Sequence, residues 1–494
     1  MSLYLGVDLG TSGVKVILVN ESGVVLNTVT KEYELHFPHP GWAEENAADW
    51  WDMTKVGIRE VVDGVDAASV RAIAVAGQMH GLVTLDENGE VIRPAILWND
   101  GRCDKETDYL NNEIGKEYLS SCTANIAFAG FTLPKILWMR NNEKRNFDRI
   151  RKIMLPKDYI NYKLTGEFAT DYSDASGMLL LDVKNKCWSD DMIALAGIDK
   201  EMLCTLHESF DVIGKLKKDV ASELGLSGDV IVAAGAGDNA AAAIGTGTVG
   251  EGRCNISIGT SGTIFISSDS FSVDKNNALH SFAHADGHYH LMGCMLSAGS
   301  ASRWWMLSIL GSHDYPALEA AIEESRLGHN NVYFLPYLMG ERSPINDTDA
   351  RGTFTGISMD TTTADLTQSV LEGVAFAFRD SYEIARSLGI VIKKSMICGG
   401  GSRSPLWRKI MANVLAIPLE SLETEQGPGY GASILAMVSD GLFPSVKEAS
   451  DSLVKVKSVT YPDEKLIKAY DDRYAGFREI YPAMKGMFKT LGGK

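Results

Sequence analysis

Positive charge is in short supply in this chain. Lys and Arg number 47 against 64 Asp and Glu, a net charge of −17 over 494 residues. That balance argues against nucleic acid or an anionic membrane as the main partner, while leaving room for a local site that takes an anionic substrate. Cysteine is sparse: seven residues, scattered, with no C-x-x-C pair. The spacing offers neither a disulfide frame nor a zinc site, and free thiols in a reducing cytoplasm are expected. No stretch approaches the roughly 18 uninterrupted apolar residues of a membrane span. Asp8 breaks the apolar N-terminal run before it reaches signal-peptide length. The phosphate-loop pattern G-x-x-x-x-G-K-[ST] is missing. A G-x-G-x-x-G match from Gly245 to Gly250 follows an expected helix instead of a strand, which disqualifies it as a dinucleotide turn. Composition is otherwise that of a globular protein, and 494 residues exceed what one core holds, so two or more domains are expected.

What is present centres on Gly235-Ala236-Gly237-Asp238-Asn239. An apolar run, Val230 to Ala234, reads as a buried strand before it, and Ala240 to Ala243 as the start of a helix after it. Asp238 thus stands at a strand-to-helix turn beside the amide dipoles of a helix start. Two readings follow: the base of a phosphoryl-transfer enzyme, or a plain helix cap.

The chain opens as an antiparallel meander. Its first turn, Gly10-Thr11-Ser12-Gly13, offers amides and hydroxyls around an anion-sized hollow, with Asp8 before it and Lys15 after it. Asp8 is placed to hold Mg²⁺ near phosphates. The same words return at Gly259-Thr260-Ser261-Gly262, 249 residues on, half the chain length. Two such turns suggest two related domains that clamp a polyphosphate from both sides. A third glycine-rich turn, Gly399-Gly400-Gly401-Ser402-Arg403-Ser404, follows a strand and precedes a helix, an arrangement compatible with a nucleotide.

These motifs together resemble the actin/hexokinase/Hsp70 ATPase superfamily, and within it the FGGY carbohydrate kinases. Carrying that likeness are Gly41-Trp42-Ala43-Glu44-Glu45 with Trp50-Trp51, the stretch Gly130 to Asn142, Leu335 to Pro344, and Gly352 to Glu372. Gly77-Gln78-Met79-His80-Gly81 and Leu97-Trp98-Asn99-Asp100-Gly101-Arg102 resemble the members that phosphorylate D-xylulose. The resemblance implies an α/β fold of two ribonuclease H-like domains, 1–250 and 251–494, with a cleft between them. It implies ATP and Mg²⁺, a small sugar as partner, and a homodimer. Asp238 would be the general base, with Asp8 at the metal. Gln78, Met79, His80, Asp100, Arg102 and Asn239 would meet the sugar. Gly10, Thr11, Ser12, Lys15, Gly259, Thr260 and Ser261 would meet the phosphates, and Gly399, Gly400, Gly401, Ser402 and Ser404 the adenosine. No role is implied for Glu341-Arg342.

Other readings stay open. Within the class the substrate is ribulose, another ketose or a polyol; outside it stand a sensor without turnover and an ATPase acting on a protein. His288 and His290 would share a strand face with no carboxylate spacing to complete a metal site. Trp304-Trp305 reads as packing, or as a wall for a nucleotide base. Gly427 to Gly431 marks a turn, and residues 462–490 read as one long helix.

Overall fold

The computed structural model describes residues 1–423 and 426–492. Two seven-stranded sheets divide the chain. In the first, β1 (Leu3–Leu9), β2 (Gly13–Asn20) and β3 (Val25–Glu32) form the expected meander. β4 (Val70–Gly77) lies parallel to β1, β6 (Ile231–Ala233) parallel to β4, and β5 (Val212–Lys215) antiparallel at the edge, giving the order β5-β6-β4-β1-β2-β3. The two residues Ala236–Gly237 add a further parallel pairing to β4. Central β1 and β4 are buried almost throughout, as parallel strands covered on both faces must be, whereas β3 exposes most of its residues at the edge.

The second sheet repeats that plan. β7 (Arg253–Ile258), β8 (Gly262–Ser268) and β10 (Tyr289–Met295) form the meander, with β9 (His280–Ala283) added outside. β11 (Lys394–Cys398) and β12 (Leu419–Leu422) run parallel to β7, and β13 (Val456–Thr460) closes the edge antiparallel. Position for position, β3-β2-β1-β4-β6-β5 corresponds to β10-β8-β7-β11-β12-β13. The halves carrying the repeated Gly-Thr-Ser-Gly words are structural repeats, the two-domain actin/hexokinase-like α/β fold.

Helices pack against both sheets. α1 (Pro156–Thr165), α2 (Tyr172–Ala175) and α3 (Asp238–Gly245) belong to the first half. α4 (Thr363–Ser387), α5 (Pro405–Leu415), α6 (Pro428–Ser439) and α7 (Glu464–Gly492) belong to the second. α4 starts at a reciprocal cap: Thr362 Oγ1 accepts from Asp365 N at 3.2 Å, and Asp365 Oδ2 accepts from Thr362 N at 2.9 Å. α7 is the long C-terminal helix expected, packed against α4 and α5.

α6 crosses over to pack on β1, β4 and α3. Here one expectation fails. The turn ends at Gly427, and Gly429 and Gly431 lie inside α6. They are there for contact: a Cβ on Gly6 would sit 1.9 Å from the Gly429 carbonyl oxygen, and one on Gly431 would sit 1.7 Å from that of Ala241. Tyr4 and Ile17 of the first sheet, Ala240 and Ile244 of α3, and Ile434 and Leu435 of α6 share one core at this seam. A second shared core joins Met79 and Phe131 to Phe282 and Met292. Among the described residues no helix is long and apolar enough to cross a membrane.

Candidate active site

The register of the first sheet sets the site. Asp8, Ala76 and Ala236 pair in one row across three parallel strands, and Leu9, Gly77 and Gly237 in the next. The residues that follow are Gly10, Gln78 and Asp238. Three chain segments therefore leave the sheet side by side at its carboxyl end, the edge where open α/β sheets take ligands. In the second sheet Ser257 pairs with Cys398, so Gly259 and Gly399 emerge together in the same way. The Gly399 turn touches the second hairpin, since a Cβ on Gly399 would lie 2.7 Å from the Ile258 carbonyl oxygen.

Asp238 is the first residue of α3, and the cap position is held by Gly237. Its Oδ1 accepts from Asn239 N at 2.7 Å and from Asn239 Nδ2 at 3.0 Å, not from an amide a turn ahead as a capping side chain does. Burial pushes the Asp238 carboxyl up to about 6, with the Asn239 bonds pulling the other way. Burial raises Asp8 to about 7, the Asp238 charge adds to it, and Lys15 opposes it. Two carboxylates thus face the same small volume. Lys15 Nζ reaches the second half, donating to Gln426 O at 3.1 Å and to Gln426 Oε1 at 3.3 Å.

The first hairpin is braced from behind. Gly10 N donates to Gly13 O at 3.0 Å, and the Tyr33 hydroxyl donates to Gly10 O. Trp98 Nε1 donates to Thr11 Oγ1 at 2.9 Å, and Thr11 in turn to Gln78 Oε1 at 3.3 Å. Gln78 is buried and gives its Nε2 to Glu45 Oε2 at 2.9 Å, which also accepts from Trp50 Nε1 at 2.7 Å. Ser12, Thr260 and Ser261 are exposed at the hairpin tips.

Met79 packs beneath the Gly235–Asn239 turn, with Asn239 Nδ2 4.0 Å from its sulfur. His80 takes a left-handed φ of 71°. Its carbonyl accepts from Thr132 Oγ1 at 3.0 Å and Lys135 Nζ at 2.9 Å, and its ring stacks on Phe131 at 4.7 Å. Burial above all, then Lys135 and Arg342, pushes the imidazole down to about 3, so the ring is neutral. With Gly177 O 2.9 Å from Nδ1, that nitrogen carries the proton and Nε2 is left as an acceptor. Arg342, from the second half, sits over the Phe128 ring at 5.5 Å. Its neighbour Glu341 accepts from Leu296 N and Arg342 N, both at 2.8 Å.

Asp100 and Arg102 bond to each other and to neighbouring protein groups. Their side chains have no exposed surface and are paired to each other, Arg102 Nη2 to Asp100 Oδ2 at 2.7 Å, with Arg102 also 2.7 Å from Glu44. Trp42 covers the guanidinium at 3.7 Å, and Ala43 N donates to Asp100 at 2.6 Å. Arg102 Nε and Nη2 both donate to Asp100, so the pair holds the 97–102 loop.

On the second half a cavity of about 590 Å³ opens between the hairpin and the glycine turn. Gly259, Thr260, Gly400, Gly401 and Ser404, all singled out from the sequence, line it. So do Ser300, Arg303, Tyr315, Glu319 and Trp407, which no sequence motif marked. Ser402 is turned inward, its Oγ closing the turn onto Gly399 O at 2.7 Å. Ser404 caps α5, accepting from Trp407 N at 3.0 Å and donating to Glu319 at 2.6 Å. Trp304 and Trp305 do not reach the cavity: Trp304 stacks on Phe334, and Trp305 Nε1 donates to Thr367. His288 lies in the turn before β10, against Asp286, and so does not share a strand face with His290.

Residues 3–245 match the N-terminal domain of the FGGY family of carbohydrate kinases, and residues 254–439 its C-terminal domain. The xylulose kinase of Escherichia coli (strain K12) is 39% identical over 481 residues, 97% of this chain and 98% of the relative. The crystal structure of a xyloylose kinase from Brucella ovis aligns with a TM-score of 0.92 at 37% identity, over 98% of this chain and 100% of that one. That of a gluconate kinase from Lactobacillus acidophilus aligns with a TM-score of 0.94 at 25% identity, over 99% of each. Likeness of fold therefore does not choose the sugar. With both family domains matched in order along nearly the whole chain, the protein belongs to the FGGY family of carbohydrate kinases.

Proposed function

We propose that this carbohydrate kinase transfers the γ-phosphoryl group of ATP to the C5 hydroxyl of D-xylulose, with Asp238 as general base. The observation that carries the reading is the row of strand ends that sets Asp238 and Asp8 beside the Gly10 hairpin. Identity of 39% to a xylulose kinase supports the choice of sugar.

The oxygen of the sugar hydroxyl forms the new bond to phosphorus, its proton passes to the Asp238 carboxylate, and the bond to the β-phosphate breaks to release ADP. A sugar hydroxyl is a very weak acid, so the proton moves late, as the new bond forms, and the base contributes on the order of 10²–10⁴-fold. In-line positioning and charge compensation supply the rest. Met79, His80 and Asn239 take the sugar, the neutral His80 Nε2 accepting from a hydroxyl. The Gly10–Ser12 and Gly259–Ser261 hairpins take the phosphates with Lys15. The 590 Å³ cavity beside Gly399–Ser404 takes adenosine.

The donor set suits Mg²⁺. Asp8 offers hard oxygens, and its raised pKa marks a carboxylate short of positive charge. Bound there with the nucleotide, the ion compensates phosphate charge. Domains 1–250 and 251–494 close on the sugar and keep water from the γ-phosphate. The seven cysteines, none in a disulfide among the described residues, fit a cytoplasmic enzyme, and the chain self-associates as a homodimer, which sedimentation velocity tests.

The experiment is ADP formation from MgATP with a panel of ketoses, polyols and gluconate. The expected result is turnover on D-xylulose well above the others. Stronger turnover on ribulose or gluconate overturns the sugar and keeps the chemistry.

A further inference from the structure

Beneath the base turn lies a buried cation that the chemistry above does not use. Lys157, second residue of α1, has no exposed side-chain surface, and its Nζ stands 2.7 Å from Asp158, 3.0 Å from Asp171 and 3.9 Å from Asp174. Burial opposes its charge, but the three carboxylates outweigh burial and lift its pKa above the usual lysine range. Lys157 adjoins both functional loops. On the sugar side, a Cβ on Gly77 would lie 2.8 Å from the Lys157 Cβ. On the base side, Lys157 Nζ donates to Ala234 O at 3.3 Å, and Asn161 Nδ2 donates to the same carbonyl at 2.8 Å.

Asp171 carries the contact forward. Its Oδ2 accepts from Ser173 N at 2.9 Å, Ser173 Oγ at 2.5 Å and Ser209 Oγ at 2.7 Å. With its proton committed to Asp171, Ser173 Oγ has a lone pair to offer, and Gly237 N donates to it at 3.2 Å. Gly237 is the residue before Asp238.

We propose that Lys157, Asp171 and Ser173 form a positioning relay that holds the Gly237 amide and so fixes the Asp238 carboxylate for proton transfer. The proposal rests on Asp238 being the base. The turn needs such a hold: Gly235 takes a φ of +74°, and Gly237 has no side chain of its own to pack. Asp171, pinned by Lys157, orients the Ser173 hydroxyl, and the hydroxyl pins the backbone from which Asp238 projects.

The test compares Ser173→Ala, Ser173→Thr and Ser209→Ala in the full chain, with Asp238→Asn alongside. A displaced base costs turnover, not binding. Ser173→Ala is expected to lower kcat on the order of 10- to 100-fold, with the KM values for sugar and MgATP within about threefold of wild type. Ser173→Thr, which keeps the hydroxyl, restores most of kcat. Ser209→Ala removes a buried donor to the same carboxylate without touching Gly237, and keeps kcat within about threefold. Wild-type kcat in Ser173→Ala, or equal losses in Ser173→Ala and Ser209→Ala, overturns the relay while an inactive Asp238→Asn leaves the base in place. An active Asp238→Asn removes the base and the relay with it.

Discussion

Asp238 and Asp8 stand at neighbouring strand ends with their carboxyl groups raised to about 6 and about 7. A raised carboxylate is ionised above its folded pKa and protonated below it, so the base form of Asp238 is present above pH 6 and lost below. The kcat/KM for sugar is expected to fall about tenfold per pH unit below about pH 6. A pH–rate profile that stays flat down to about pH 4, the ordinary aspartate value, would contradict that environment. His80 gives a separate outcome. With its neutral Nε2 proposed to accept one sugar hydroxyl, His80→Ala should raise the sugar KM about tenfold and leave the MgATP KM unchanged, which steady-state kinetics checks. Asp8, Asp238 and His80 stand out in sequence because their motifs are long, and the fold brings Asp8 and Asp238 to neighbouring strand ends. What sequence could not show is which polar residues are already satisfied. Asp100 and Arg102 look available in a string of letters, but Trp42, Ala43 and Glu44 take up their bonding. Glu319 and Tyr315 went unnoticed because they join the 590 Å³ cavity only through tertiary packing.

At the scale of elements, glycine does two different jobs in the helices. Gly431 in α6 lets backbone meet backbone: a Cβ there would lie 1.7 Å from the Ala241 carbonyl oxygen. Gly486 in α7 faces open space. The same substitution should therefore have opposite signs. Gly431→Ala is expected to cost about 3 kcal/mol or more, because neither backbone can retreat. Gly486→Ala should stabilise by about 0.5–1 kcal/mol through lower chain entropy and better helix propensity. Urea midpoints at unchanged m-value check both, and a tolerated Gly431→Ala would contradict the close seam. Strands with their turns were legible, from the meander at Leu3 to the turn at Gly399, because alternation and glycine punctuation are local signals. The Gly427–Gly431 stretch misled because Gly429 and Gly431 answer to partners far away in sequence, Gly6 and Ala241.

Across the whole molecule, the 249-residue spacing of Gly-Thr-Ser-Gly announced a duplicated architecture, and the matching strand orders of the two sheets bear it out. Sequence could not give the crossing of α6 onto the first sheet, which ties the halves together along the seam with β1, β4 and α3. Closure about that seam predicts a smaller radius of gyration with D-xylulose and ADP bound than in the free protein, by small-angle scattering; an unchanged radius would remove closure from the account. The central claim is that Asp238 takes the sugar proton, and the direct measurement is xylulose-dependent ADP formation by wild type and Asp238→Asn, with nucleotide binding followed in parallel. The account predicts a fall in kcat on the order of 10²–10⁴-fold with ATP binding retained. Turnover of Asp238→Asn at the wild-type rate would contradict it.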